Sequence, residues 1–220
     1  LLPNFQLSGW SNYWYAGLPM YRFYMVVPAI AIVVLNIVLP YGIAFKVVAV
    51  SGIVTLPACC WAFGRLARFR YPMPELFAIG GLLFLFDESY SIYGGNVKST
   101  MAGEFSFSIA LSLGVLGLGL LARGLETGKY RSWAAIVLAL AFLSHGIVLI
   151  FVALGALLLV LVWADRQRLV FGIGLGLTAV LLSAFWVVPF LFNHAYMTDM
   201  KYGYRPSGAS DSFWDMFFPL

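Results

Sequence analysis

The sequence predicts an all-α fold: a polytopic transmembrane helix bundle of about six spans plus one interfacial helix. Three observations predict it. First, the chain is 62% hydrophobic and 10% charged, with a mean hydropathy of +0.92. Soluble domains carry roughly a quarter charged residues, so this chain lacks the polar groups to cover itself in water, and lipid is its expected solvent. Second, long apolar runs recur along its whole length. Third, three basic clusters sit at the ends of such runs: Arg65, Arg68 and Arg70; Arg123, Lys129 and Arg131; Arg166 and Arg168.

Loops rich in Lys and Arg remain on the cytoplasmic side of a bilayer. The loops 64–71, 123–131 and 164–168 are therefore expected in the cytoplasm, and the aromatic, Gly-rich and acidic segments between them outside. The net charge of +4 comes almost wholly from these loops. It reflects topology and predicts no nucleic-acid partner.

Residues 1–22 hold Trp10, Tyr13, Trp14 and Tyr15 together with Gly9, Gly17, Pro3 and Pro19. Trp and Tyr favour the bilayer interface, which predicts an outer aromatic loop. Residues 23–40 are apolar but short, with Pro28 and Asn36 inside. If the next run, 41–63, descends to the first basic cluster, this segment begins and ends outside and is a juxtamembrane helix. The run 73–92 returns outward. Its apolar part, Leu76 to Phe86, is too short to cross ~30 Å at ~1.5 Å per residue, which predicts continuation through Tyr90 toward Tyr93. The outer loop 87–103 follows. Then 104–122 descends, 132–145 rises, 147–163 descends and 169–192 rises, completing a bundle over 41–192. Residues 193–220 form a last outer loop. The chain has no initiating Met and no signal peptide, so it is expected to be a piece of a longer protein.

Candidate chemistry lies in the outer segments. Glu104 opens a helix, where an acid favours the macrodipole; it also stands near membrane depth, where charge is costly and often functional. Asp87 and Glu88 end a span and are candidate ligands, with Glu104, for a divalent metal ion, because hard cations take carboxylate oxygens. His145, between Ser144 and Gly146, lies on the same side as Glu104, and a protonated imidazole binds phosphate oxygens. Arg22 and Lys98 are outer cations able to hold an anionic head group, with Tyr24 beside Arg22 as a further substrate-binding candidate. Lys201 carries the same argument, His194 and Asp199 a weaker one.

Other patterns carry less. Cys59 and Cys60 are adjacent in an apolar run and read as small packing residues. The run GIGLG at 172–176 lacks the strand of a nucleotide fingerprint. Gly114, Gly117 and Gly119 read as small residues that allow close helix approach. Lys46 is the clearest mid-depth charge. With no internal repeat, this argues against a transporter.

The order of segments resembles the membrane module of GT-C type glycosyltransferases, which use polyprenyl-phosphate-linked sugars. It shows an outer aromatic loop, an interfacial helix, a span ending in GRLARF, an acid-headed span, the loop ARGLETGKYR and a short helix ending before Gly. The segments WYAGLPMYRFYMVVPAI, LPYGIAFKVVAVSG and IYGGNVKSTMAGEFSFSIALSLG are similar to a bacterial membrane group labelled "6-pyruvoyl-tetrahydropterin synthase-related". Pterin synthases of that name use a three-histidine zinc site. This chain has two histidines, both in a membrane context, so that chemistry is excluded. The resemblance implies a multi-pass protein of the bacterial plasma membrane, membrane lipid and a polyprenyl-phosphate sugar as partners, and a role in the cell envelope. It makes Glu104 the catalytic-site acid of the second outer region and places His145 where many relatives carry Lys near the lipid phosphate. The family's principal acid lies in the first outer loop. Residues 1–22 hold no Asp or Glu, so that acid is expected upstream. The rival expectation is a non-catalytic membrane protein that binds lipid or assists envelope assembly.

Overall fold

A computed structural model describes residues 8–13, 17–22, 26–162, 165–193 and 195. The described chain is helical apart from one small hairpin, β1 (Gly9–Ser11) and β2 (Leu18–Met20), paired antiparallel within the segment expected to be loop. The helices are α1 (Val26–Leu35), α2 (Tyr41–Leu66), α3 (Met73–Leu85), α4 (Val97–Met101), α5 (Phe105–Thr127), α6 (Arg131–Ser144), α7 (Gly146–Val162) and α8 (Arg166–Asn193). Among them α2, α5 and α8 are long and apolar enough to cross a membrane. At ~1.5 Å per residue, α3 and α6 reach only about 20 Å and α7 about 26 Å, short of a ~30 Å hydrocarbon core. GIGLG lies within α8, as plain helix.

Helix α5 is the axis of the bundle, because its small residues let neighbours lie directly on its backbone. Gly119 faces Phe63 of α2, Gly117 faces Leu138 of α6, and Gly114 faces Val152 of α7. Gly52 of α2 lies against the Ser108–Ile109 backbone, and the Ser112 hydroxyl donates to the Gly52 carbonyl at 2.7 Å. The two ladders advance in step, Gly52 with Ser108 and Phe63 with Gly119, so α2 and α5 run parallel. In contrast, α3 runs antiparallel to α2, with Gly81 against Cys60 and Gly64 against Pro74. Helices α6 and α8 run side by side in the same sense, from the Arg131–Gly174 contact to the Phe142–Trp186 ring pair. The core consists of Ala110, Leu121, Leu125, Ala134, Ala135, Leu138, Val148, Val152 and Leu175. Leu, Ile, Val and Phe side chains of α7 and α8 face outward, as a lipid-contacting surface requires. Lys46 is exposed on α2, a little over one turn from its start.

These directions bring the last residues of α2 and α5 and the first residues of α6 and α8 to one end of the bundle. The three basic clusters meet there. Arg68 and Arg123 both pair with Glu126, the latter at 2.7 Å, and the Arg168 Nε donates to the Leu125 carbonyl at 3.1 Å. Helix α2 ends there in a Schellman arrangement: Arg68 N–H donates to the Arg65 carbonyl and Phe69 N–H to the Gly64 carbonyl, with Phe69 packed on Phe63. Arg68 occupies the left-handed position (φ 61°), which glycine usually takes. A side chain there costs about 1–2 kcal/mol.

The predicted extension of α3 to Tyr93 does not occur. The helix stops at Leu85 because competing hydrogen bonds fold the chain back. The Asp87 side chain accepts from the Ser89 N–H at 2.9 Å. The Asn96 amide donates to the carbonyls of Asp87 and Tyr90 at 2.6 and 3.0 Å, and its oxygen accepts from Ser99 N–H at 2.8 Å, capping α4. Gly94 and Gly95 supply positive φ (92° and 94°) for the reversal.

Candidate functional site

The site at the other end of α5 is assembled from two turns. Gly103, at φ 121°, breaks the chain after α4, and the Glu104 N–H donates to the Ser99 carbonyl at 3.0 Å. Glu104 thus becomes the first residue before α5, with its side chain about one-third exposed. Across from it, α6 ends at Ser144. His145 takes extended backbone angles (φ −159°, ψ 116°) before Gly146 starts α7. The break turns the imidazole inward, leaving it 5% exposed. Its Nε2 stands 3.7 Å from Glu104 Oε2, and the Phe107 ring meets the imidazole edge-on with centroids 5.1 Å apart.

Burial holds His145 below the ordinary imidazole value, and the Glu104 carboxylate opposes that shift. The neutral form therefore dominates at neutral pH. A neutral imidazole next to a carboxylate can donate an N–H to an oxyanion or relay a proton. It does not supply the fixed positive charge of a lysine.

A buried polar layer lies beneath this pair. Thr100 and Ser108 share a hydrogen bond. Asn96, Ser99, Ser106 and Ser144 are also buried, with the Ser144 hydroxyl returned to the Leu140 carbonyl. Sequence reasoning missed this layer. Its signal was present as Asn96-x-x-Ser99, a helix N-cap spacing, and as Ser108 and Ser112, four residues apart on one side of α5.

The other candidates are placed differently. Lys98 pairs with Glu88, its Nζ 3.4 Å from the carboxylate and 3.3 Å from the Glu88 carbonyl. Asp87 engages its own loop, and hydrogen bonds from Ser89 hold its carboxyl below the usual range. Among the described residues, no group of three or more His, Cys, Asp or Glu side chains is arranged to hold a metal ion. Asp87, Glu88 and Glu104 thus do not form the three-donor set expected of a divalent site. Arg22 follows β2, and Trp186 of α8 donates to the neighbouring Tyr21 carbonyl at 3.1 Å. With Trp186 on Phe142, Arg22 lies at the same end as Glu104 and His145. Tyr24, His194, Asp199 and Lys201 lie outside the described residues.

The fold and site describe an α-helical protein with three helices capable of crossing a membrane and a carboxylate–imidazole pair at one end. In comparisons with known proteins, the chain matches no family model, no curated protein and no solved structure.

Proposed function

We propose that this chain is the membrane-embedded part of a GT-C-like glycosyltransferase that takes a lipid-linked sugar at the outer face of a bacterial plasma membrane. The observation that carries the reading is the Glu104–His145 pair at the end of α5 opposite the basic clusters. In this reading the basic end is cytoplasmic, the helices from α2 to α8 apart from α4 make six crossings, and α1 lies in the interface. The three short helices cross through local thinning of the bilayer or with help from flanking residues. When protonated, His145 directs Nε2–H to Glu104 and Nδ1–H to the phosphate of a polyprenyl-phosphate sugar, and Arg22 supplies charge from the same end. Glu104 orients the imidazole and binds the acceptor, and the base that takes the acceptor's proton is the acid expected from the first outer loop. No step is routed through a metal ion, because the described acids do not converge.

The test is binding of a polyprenyl-phosphate sugar to the full-length protein in nanodiscs, with and without divalent cation. Glu104→Gln and His145→Ala should each weaken saturable binding about tenfold or more, the loss expected for a charge-assisted hydrogen bond. Binding that survives both changes places the lipid elsewhere. The pH dependence has a definite sign. Binding should be flat above the ordinary imidazole value of ~6.5 and strengthen only below it, as His145 gains charge. The fold should lose stability over the same acid range, because the unfolded chain takes up that proton first. A calorimetric titration across this range reads both.

A second reading, a non-catalytic lipid-binding protein of the cell envelope, is favoured by the engagement of Asp87 and Glu88 within their own loop, which leaves Glu104 without a second acid. Saturable lipid binding with no sugar transfer by the full-length protein would select it.

A further inference from the structure

The end of the bundle opposite Glu104 contains a cavity of about 230 Å³ lined by Ala67, Arg68, Ala122, Glu126 and Arg168. Its floor is two methyl groups, one from the end of α2 and one from the last turns of α5. Its rim is polar and comes from three separate chain segments. We propose that this cavity is a binding site for a single phosphate group, held by the guanidiniums of Arg68 and Arg168.

Size sets the class of ligand. Pockets that enclose drug-sized molecules run ~300–1,000 Å³, so this one takes a head group rather than a nucleotide. Charge sets the sign. Arg68, Arg123 and Arg168 stand against Glu126 and Asp165, three guanidiniums to two carboxylates, with Arg65, Arg70, Lys129, Arg131 and Arg166 on neighbouring turns. Planar guanidiniums suit phosphate oxygens. Glu126, which accepts from both Arg68 and Arg123, holds Arg68 over the cavity, and an arriving phosphate competes with it for that guanidinium.

The backbone supplies an independent argument. Arg68 occupies the left-handed position of the helix cap (φ 61°), where glycine would relieve strain. Strained residues concentrate at binding sites. The guanidinium also remains largely exposed, with the Arg68 side chain 64% accessible, which leaves it reachable from outside. This proposal does not depend on the glycosyltransferase reading, since it concerns the other end of the bundle.

Two sources supply the same chemistry: the head group of an anionic lipid and free phosphate. The experiment uses the full-length protein in detergent and follows its thermal unfolding midpoint during titration with phosphatidylglycerol, phosphatidylcholine or inorganic phosphate at constant ionic strength. Phosphatidylglycerol should raise the midpoint saturably and phosphatidylcholine should not. A parallel rise with inorganic phosphate assigns the site to phosphate alone; a rise with the lipid only assigns it to the head group with its glycerol. Arg68→Gly suits the cap geometry and preserves the fold, yet should weaken the apparent affinity about tenfold. Arg168→Gln should do the same. Arg166→Gln, on the same helix end but outside the cavity lining, should leave it unchanged. Absence of a midpoint shift with every ligand overturns the proposal. Equal losses in Arg166→Gln and Arg68→Gly also overturn it, by reducing the effect to general surface charge.

Discussion

Gly52→Leu is expected to disrupt the bundle. A carbon added at Gly52 would occupy the space of the Ser108–Ile109 backbone of α5, and backbone has no rotamer with which to move aside. Overpacking a filled core costs about 1–3 kcal/mol when side chains can yield, and a backbone collision belongs at or beyond the top of that range. The same substitution pushes the Ser112 hydroxyl away from the Gly52 carbonyl. Thermal unfolding in detergent should show a clearly lowered midpoint, and Gly52→Ala should already show part of it. Gly80→Ala is the matched control: nothing lies within reach of an added carbon there, and α3 should gain up to ~1 kcal/mol of helix propensity. If Gly52→Ala melts with the parent protein, α2 and α5 do not approach as described.

Asn96→Ala is expected to have the second largest effect. Asn96 is fully buried and makes three hydrogen bonds, to the carbonyls of Asp87 and Tyr90 and from the Ser99 N–H. At about 1 kcal/mol each, their loss amounts to roughly 2–4 kcal/mol. The effect should be local. Residues 86–96 should become open to proteolysis while α5 and α6 keep their amide protection. Asn96→Asp retains the cap acceptor but lacks the two donors, so it should protect α4 yet still release the loop. Unchanged protease resistance in Asn96→Ala would mean that the glycines and aromatic contacts alone define this loop.

The sequence marked helices where one physical signal dominated. Apolar runs bounded by Arg located α2, α5 and α8 to within about five residues, and Gly114, Gly117 and Gly119 were legible as small residues that allow close helix approach. What escaped was set by single hydrogen bonds. Nothing in the hydropathy of Leu76–Phe86 distinguishes a helix that continues from one reversed by Asn96 ten residues later. The β1–β2 hairpin is six paired residues amid aromatics and carries little alternation. At the site, Glu104 and His145 were visible as isolated polar residues at the ends of apolar runs. Their 3.7 Å approach depends on the parallel packing of α5 and α7, a tertiary fact. Lys98 and Glu88 were read as separate candidates because the turn that joins them is made by glycines with positive φ. The cap at Arg68 was hidden because its left-handed position holds an arginine where a glycine would have announced it.

The parallel pairing of α2 with α5 also imposes an order of assembly. Their shared hydrogen bond joins Ser112 to Gly52, 60 residues apart in the chain, whereas α2 and α3 meet across a short turn. During synthesis the α2–α3 hairpin can close as soon as it emerges, but the groove around Gly52 stays vacant until α4 and α5 have been made. Helices α6, α7 and α8 then settle on α5. Nascent chains arrested before α5 should therefore expose the Gly52 face of α2 to crosslinking, and lengthening the chain past Thr127 should abruptly protect it.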